Sequence, residues 1–337
     1  MKLLSYTKDA SELEFITESF PFCFLKGFSE LIVKHKKNNY YFLYDDGLIV
    51  PVEIIKTRII TLLQFHFRPL TTKAEDASVN EEKEFLNKCV RFISDKKLAH
   101  RILQPANYAL FNSTPQNCKR APFGTYTILL NKSEDEIVAN MQSRYRSAIR
   151  QFQALNPEIR EGAGELKTFS DLHKTTMLRT THFFEDETDM AAFIKYLPNN
   201  TLVRNVYHND ELQGGLFILY SKYGAYYMHG ASADTTHASG AIKYLHYQSM
   251  AYLKAKGVMQ YDFVGARLSD VGGTKLEGIQ NFKKRFGSEL QKGYLWKTDI
   301  NVVRCKSFDT VLKSRNLVKG LKNPHDIIDQ EFKKFKV

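Results

Sequence analysis

The chain reads as an α/β (α+β) protein made of two tandem copies of one unit, each with a mixed, largely antiparallel central sheet. Three features predict this. Short runs of aromatic and β-branched residues alternate with tight polar turns; one amphipathic helix follows each cluster of runs; and the pattern recurs at an offset of about 160 residues.

In the first half the runs at 39–44 and 48–55 flank the turn Asp45-Asp46-Gly47, a Lys56-Thr57 turn follows, and the run at 59–65 completes a three-stranded meander. A helix over 80–96 and a strand over 101–104 come next. The counterpart begins at 201–207 with the turn His208-Asn209-Asp210. It continues as a hairpin of 215–220 and 225–229 about the turn Ser221-Lys222-Tyr223-Gly224. A helix follows over 240–256, with apolar residues at Ile242, Leu245, Met250, Tyr252 and Leu253 and a stop at Gly257, then a strand over 260–263. Between the halves, Ser133 caps a helix with Glu136 three residues on, and the helical stretch runs to about 155. The spacing therefore divides the chain into 1–132 and 133–337, the second part carrying a junction helix at 133–155 and a basic C-terminal tail. No heptad run marks a coiled-coil arm.

At 337 residues and 43% hydrophobic content, two cores can be filled. No run approaches the roughly 20 apolar residues of a membrane span, and the N-terminus turns polar at once, so the expected location is the cytoplasm. Cys23, Cys89, Cys118 and Cys305 stand far apart without metal or redox spacing, which predicts four free thiols and no metal. The net charge of +11 predicts attraction to a polyanion. From Arg304 to Val337 nine Lys or Arg face four Asp or Glu, with Leu312, Leu317, Val318 and Leu321 interleaved. Such a tail suits tRNA, or peripheral contact with an anionic membrane at the inner face.

Particular residues carry a resemblance. The hairpin ends in Tyr226-Tyr227-Met228-His229-Gly230-Ala231-Ser232; then come Tyr261-Asp262-Phe263-Val264-Gly265-Ala266 and Gly278-Ile279-Gln280-Asn281-Phe282-Lys283-Lys284-Arg285-Phe286-Gly287. In this order they resemble the C-terminal half of the FemABX family, tRNA-dependent aminoacyl transferases that extend peptidoglycan stem peptides. The basic stretch Arg144 to Arg150 is similar to that family's helix entering its second half. The resemblance implies two tandem GNAT-like (acyl-CoA N-acyltransferase-like) domains. It also implies transfer of an amino acid from aminoacyl-tRNA, as co-substrate, to an amine of a muramoyl-peptide that is UDP-bound or lipid-linked, with no cofactor and no covalent intermediate.

Such transfer needs an aligned amine, an activated ester and a stabilised oxyanion. By resemblance Phe282-Lys283 is where the family places its oxyanion-stabilising lysine, although Lys283, Lys284 and Arg285 equally read as a solvated basic turn. The same resemblance gives Arg179, on a helix over 170–184, the grip on a substrate diphosphate. It sets Phe183 where a tyrosine is expected and puts Tyr227 on the substrate side of the hairpin, a position that also suits core packing. Lys34 is a phosphate candidate in the first half. Arg146 and Arg150, four apart on one helical face, could cradle phosphate or simply face solvent. His229, His237, Asp234 and Asp262 invite an acid/base role, but a histidine near a helix start equally serves as a cap or loop residue, and Asp262, on a strand beside Tyr261, equally serves to orient the chain. The rival reading is a CoA- or acyl-carrier-dependent N-acyltransferase acting on a cell-envelope polysaccharide or lipid amine. Its acetyl-CoA pyrophosphate loop would fall at Thr235-Thr236-His237-Ala238-Ser239-Gly240-Ala241, which lacks the leading basic or amide residue and the first glycine. A further alternative is a non-catalytic tRNA- or envelope-precursor-binding module that has kept the scaffold.

Overall fold

In the computed structural model, residues 1–178, 186–318 and 326–334 are described. Their strands form one continuous sheet of fourteen. Twelve of them lie in the spatial order Lys2–Leu4, Asn39–Asp45, Leu48–Lys56, Thr61–Phe65, Arg101–Ile102, Glu289–Asp299, Lys119–Leu129, Gln260–Asp262, Ala225–Ser232, Glu211–Tyr220, Thr201–His208 and Glu158–Glu161. Leu70–Thr71 adds to Leu48–Lys56, and Ala266–Arg267 adds to Lys119–Leu129.

The repeat expected from the sequence is present in the topology. Each half has three antiparallel strands, a helix (Val79–Asp95 or Ala238–Ala255) and a strand parallel to the third: Arg101–Ile102 beside Thr61–Phe65, and Gln260–Asp262 beside Ala225–Ser232. These two pairings are parallel and the other strand pairs antiparallel, giving the mixed, largely antiparallel sheet. The capping box at Ser133 and Glu136 is formed, yet the helical stretch after it is broken. Glu134–Asn140 ends where Met141 and Gln142 turn extended, and a second helix runs over Ser143–Gln153. The helix expected from 170 begins earlier, at Leu166.

Sheet pairing does not stop at residue 132. Lys119–Leu129, which lies before that division, pairs only with strands after it: Gln260–Asp262, Ala266–Arg267 and Glu289–Asp299. Glu289–Asp299 in turn reaches back to Arg101–Ile102. Each half thus lends its last long strand to the seam.

A shared core reinforces it. Phe22 meets Tyr226 edge-on with ring centroids 5.3 Å apart, Phe28 packs on Phe193, and Phe67 packs on Tyr226. All five rings are buried, and burying one such side chain is worth roughly 1.5–3 kcal/mol. The four cysteines are free thiols, three of them buried. Among the described residues no helix is long and apolar enough to cross a membrane.

Candidate active site

The parallel pair Ala225–Ser232 and Gln260–Asp262 stays in register only at Ala225↔Tyr261 and Tyr226↔Asp262. Beyond that point both strands deviate. The hairpin strand carries a bulge at Met228, since Phe217 faces His229 while Ile218 faces Tyr227. Its neighbour turns sharply at Val264 and Gly265, both with positive φ (51° and 76°). That conformation is unfavourable for a β-branched residue and is tolerated where the surroundings fix it. They do so here: buried Asp262 accepts hydrogen bonds from the Val264 N–H (2.7 Å) and from the Thr125 hydroxyl. Burial raises the Asp262 carboxyl to about 6 against these bonds. Asp262 therefore sets the turn, as the orienting reading of that residue expects.

Between the parting strands opens a cavity of about 440 Å³, lined by Tyr227 to Gly230 on one side and Phe263 to Arg267 on the other, with Lys283 on its wall. In the first half the equivalent strands stay bonded past the crossover, through the Leu103 N–H to Leu63 O and the Ala106 N–H to Phe65 O. Phe65, Phe111 and Trp296 pack beside them. The sheet opens in the second half.

Lys283 lies near the C-terminal end of the helix Lys275–Lys284 and is buried at 7% exposure, whereas Lys284 and Arg285 are exposed. The solvated-turn reading thus fits its two neighbours but not Lys283. Its Nζ donates to the carbonyls of Val264 (2.5 Å) and Gly265 (2.6 Å), the two residues of the turn. Burial lowers its pKa to about 8, with Asp262 opposing, so it remains mostly a cation at pH 7. An ammonium has three donors, and two are committed to carbonyls.

A second, larger cavity of about 1240 Å³ adjoins the first through Tyr227 and Gly230, which line both. A side chain at Gly230 would collide with the Tyr227 ring and hydroxyl, so the glycine lets this wall exist. Phe282 lines the larger cavity and packs on Tyr145 and Phe286; behind it the buried His246 touches both Tyr227 (4.7 Å) and Phe282 (5.5 Å). Burial holds the His246 imidazole near 3, hence neutral, and it acts as a rigid prop with its Nδ1 on the Tyr261 hydroxyl.

Among the described residues the charges at the larger cavity are all positive: Arg144, Lys243 and Arg285 line it and no Asp or Glu does. Burial, followed by Arg144 and Arg285, lowers the Lys243 pKa, as expected of crowded cations lacking an anion. The N-terminus of the helix Ala238–Ala255 adds its partial positive charge at Ser239 and Gly240.

The sequence-chosen residues separate accordingly. Lys283, Phe282 and Tyr227 converge on the two cavities. Arg146 instead donates to the carbonyls of Ala139 and Met141 and caps the broken helix, while Arg150 is exposed on a face turned from the cavity. Their helix presents Arg144, Ala148 and Gln151 to the cavity, so the arginine of this helix that lines it is Arg144. Lys34 pairs with Glu30 at 2.8 Å, away from both cavities. Arg179 and Phe183 lie outside the described residues. His237 precedes the helix Ala238–Ala255 without a capping hydrogen bond and packs on His208. Among the described residues no group of three or more His, Cys, Asp or Glu could hold a metal.

Residues 139–284 match the acetyltransferase (GNAT) domain family, which spans the parted strands, Tyr227 and Lys283. Among solved structures, FemX superposes with a TM-score of 0.67 at 15% identity, covering 89% of this chain and 98% of that one. The two chains share one fold over most of their length. A conserved protein of unknown function from Bacteroides thetaiotaomicron shares the fold at a TM-score of 0.51 and 13% identity, over 88% of this chain and 98% of that one. L-PGS from Bacillus licheniformis is a looser likeness, with a TM-score of 0.49 and 12% identity over 81% and 91%. No curated protein matches in sequence. The GNAT domain makes the chain an acyltransferase, and the basic cavity and Lys283 both belong to that domain's half.

Proposed function

We propose that this FemABX-type protein is an aminoacyl transferase, working in the cytoplasm, that moves an amino acid from aminoacyl-tRNA to an amine of a muramoyl-peptide precursor of peptidoglycan. The observation that carries the reading is the cavity lined, among the described residues, by the cations Arg144, Lys243 and Arg285, and joined through Tyr227 and Gly230 to the pocket that holds Lys283. A cluster of cations suits the phosphates of an RNA 3′ end. The likeness to FemX supports the same class of reaction.

In this reaction the acceptor amine nitrogen attacks the ester carbonyl carbon. A C–N bond forms, the bond from that carbon to the ribose oxygen breaks, and the proton lost by the amine ends on the ribose oxygen. No covalent enzyme intermediate is needed. Lys283, cationic and desolvated, stabilises the oxyanion, an interaction worth about 10²–10³ in rate where single donors have been removed from such sites. Phe282 and Tyr227 wall the site, and Arg179 is assigned the acceptor's diphosphate. The acceptor's form, UDP-bound or lipid-linked, follows from which one the protein retains.

The match to an acetyltransferase domain favours a second reading, a CoA- or acyl-carrier-dependent N-acyltransferase acting on an envelope polysaccharide or lipid amine. Two of the three first-turn amides that would hold its pyrophosphate are engaged within the loop, Ala238 N–H to the Thr235 side chain and Gly240 N–H to His237 O. Thermal unfolding with UDP-muramoyl-pentapeptide, UDP or acetyl-CoA separates the two, because a ligand at 100 times its Kd adds about 2.7 kcal/mol of stability. The proposal expects stabilisation by the muramoyl ligand, weakened in Arg179→Ala. Stabilisation by acetyl-CoA alone would overturn it.

A further inference from the structure

The helix Val302–Val318 is apolar on two opposite faces. Its inner face carries Cys305 and Asn316, both buried, with Phe308 and Leu312 half-buried beside them. The helix's one acid, Asp309, is half-buried on the same side and is held by the Arg101 guanidinium in two hydrogen bonds of 2.7 and 2.8 Å. At 100° per residue, Val303, Val311 and Val318 fall on the opposite face, two turns apart each, with Leu317 beside them. They are 76%, 50%, 87% and 82% exposed. Ser307, Thr310 and Ser314 fill the gaps between them. Lys306 and Lys313 run down one flank, Arg304 and Arg315 down the other, and all four are exposed.

Four aliphatic side chains in water, framed by cations on both sides and facing no carboxylate, need a partner that is apolar within and anionic at its rim. We propose that this outer face docks the protein on an anionic lipid bilayer, the aliphatic stripe entering the headgroup boundary while the lysines and arginines reach lipid phosphates. Two other occupants fit less well. RNA would engage the cations and leave Val303, Leu317 and Val318 in water. A second copy would set four cations against four with no acid between them. The hairpin tip of the first half offers the same chemistry nearby. Ile59, 45% exposed, follows Arg58 in the turn before the strand Thr61–Phe65, and that strand meets the helix through His100, which accepts from the Thr61 N–H and lies 3.1 Å from Arg304 Nη1. Docking here is independent of which acyl donor the active site uses.

Co-sedimentation of the full chain with phosphatidylcholine vesicles, with and without phosphatidylglycerol, tests it. The expected result is binding to the anionic vesicles only. The pair Lys306→Gln/Lys313→Gln should weaken that binding about thirtyfold, and Val303→Ser/Leu317→Ser/Val318→Ser at least tenfold. These side chains are exposed, so both variants should melt with the wild type. The proposal is overturned if the wild type does not sediment with anionic vesicles, or if it binds them and either variant binds equally well. It is also overturned if the lysine pair weakens tRNA binding while vesicles retain no protein.

Discussion

Lys283 spends two of its three donors on the carbonyls of the Val264–Gly265 turn, which fixes an ammonium at the point where the strands part. Its depressed pKa has a pH consequence. If the cation stabilises the oxyanion, the ratio of wild-type to Lys283→Ala kcat/KM, in which the titration of the acceptor amine cancels, should be level below about 8 and fall as the lysine deprotonates above it. Stability moves the opposite way. The unfolded chain binds this proton more tightly than the folded one, so the Lys283 contribution to stability should grow as pH rises from about 8 toward the ordinary lysine value of 10.5. Chemical denaturation across that range, compared with Lys283→Met, reads the second effect. The cations of the larger cavity invite a separate test: Arg144→Ala or Lys243→Ala should each weaken tRNA binding and lower the slope of log affinity against log salt by about 1. Lys283, Phe282 and Tyr227 were legible because motif order carries them whatever the exact geometry. Arg144 was not, because choosing it over Arg146 and Arg150 requires the phase of a helix whose start, at the Met141–Gln142 break, the capping signal at Ser133 does not reveal.

At the scale of elements, the two meanders, both long helices and the two parallel crossovers follow from alternation, capping and turn residues, and the structure keeps them within a few residues. The strands Lys119–Leu129 and Glu289–Asp299 are invisible by the same signals, since Pro122, Gly124 and Gly293 read as breakers. Their reason is tertiary. A side chain at Gly293 would meet the backbone of Phe111, which bridges to Tyr294, so glycine marks a close crossing of chains instead of a turn. The boundary at 132 was drawn from helix capping, which is local, whereas the pairing of Lys119–Leu129 with Glu289–Asp299 is remote in sequence. A chain ending at 132 should therefore fail to give a soluble folded unit, exposing an eleven-residue strand without partners. Size-exclusion chromatography and far-UV circular dichroism of that fragment check it; a monomer with a cooperative melt would contradict the seam.

At the scale of the molecule, one sheet runs through both halves and opens where Tyr226 and Asp262 end their pairing, so a rigid seam holds the cavity walls in place. The same body presents a cationic cavity at the site and an aliphatic, cation-flanked helix face elsewhere, distributing the +11 charge over two surfaces. In the proposed reaction Lys283 works on an ester carried by tRNA. The most direct test mixes the protein with bulk tRNA charged with radiolabelled amino acids and UDP-muramoyl-pentapeptide, and follows label into the acceptor. Transfer by the wild type is expected, with a loss of about 10²–10³ in kcat for Lys283→Ala and acceptor affinity within about twofold. An acceptor left unlabelled by charged tRNA but acylated from acetyl-CoA, or full activity in Lys283→Ala, would contradict it.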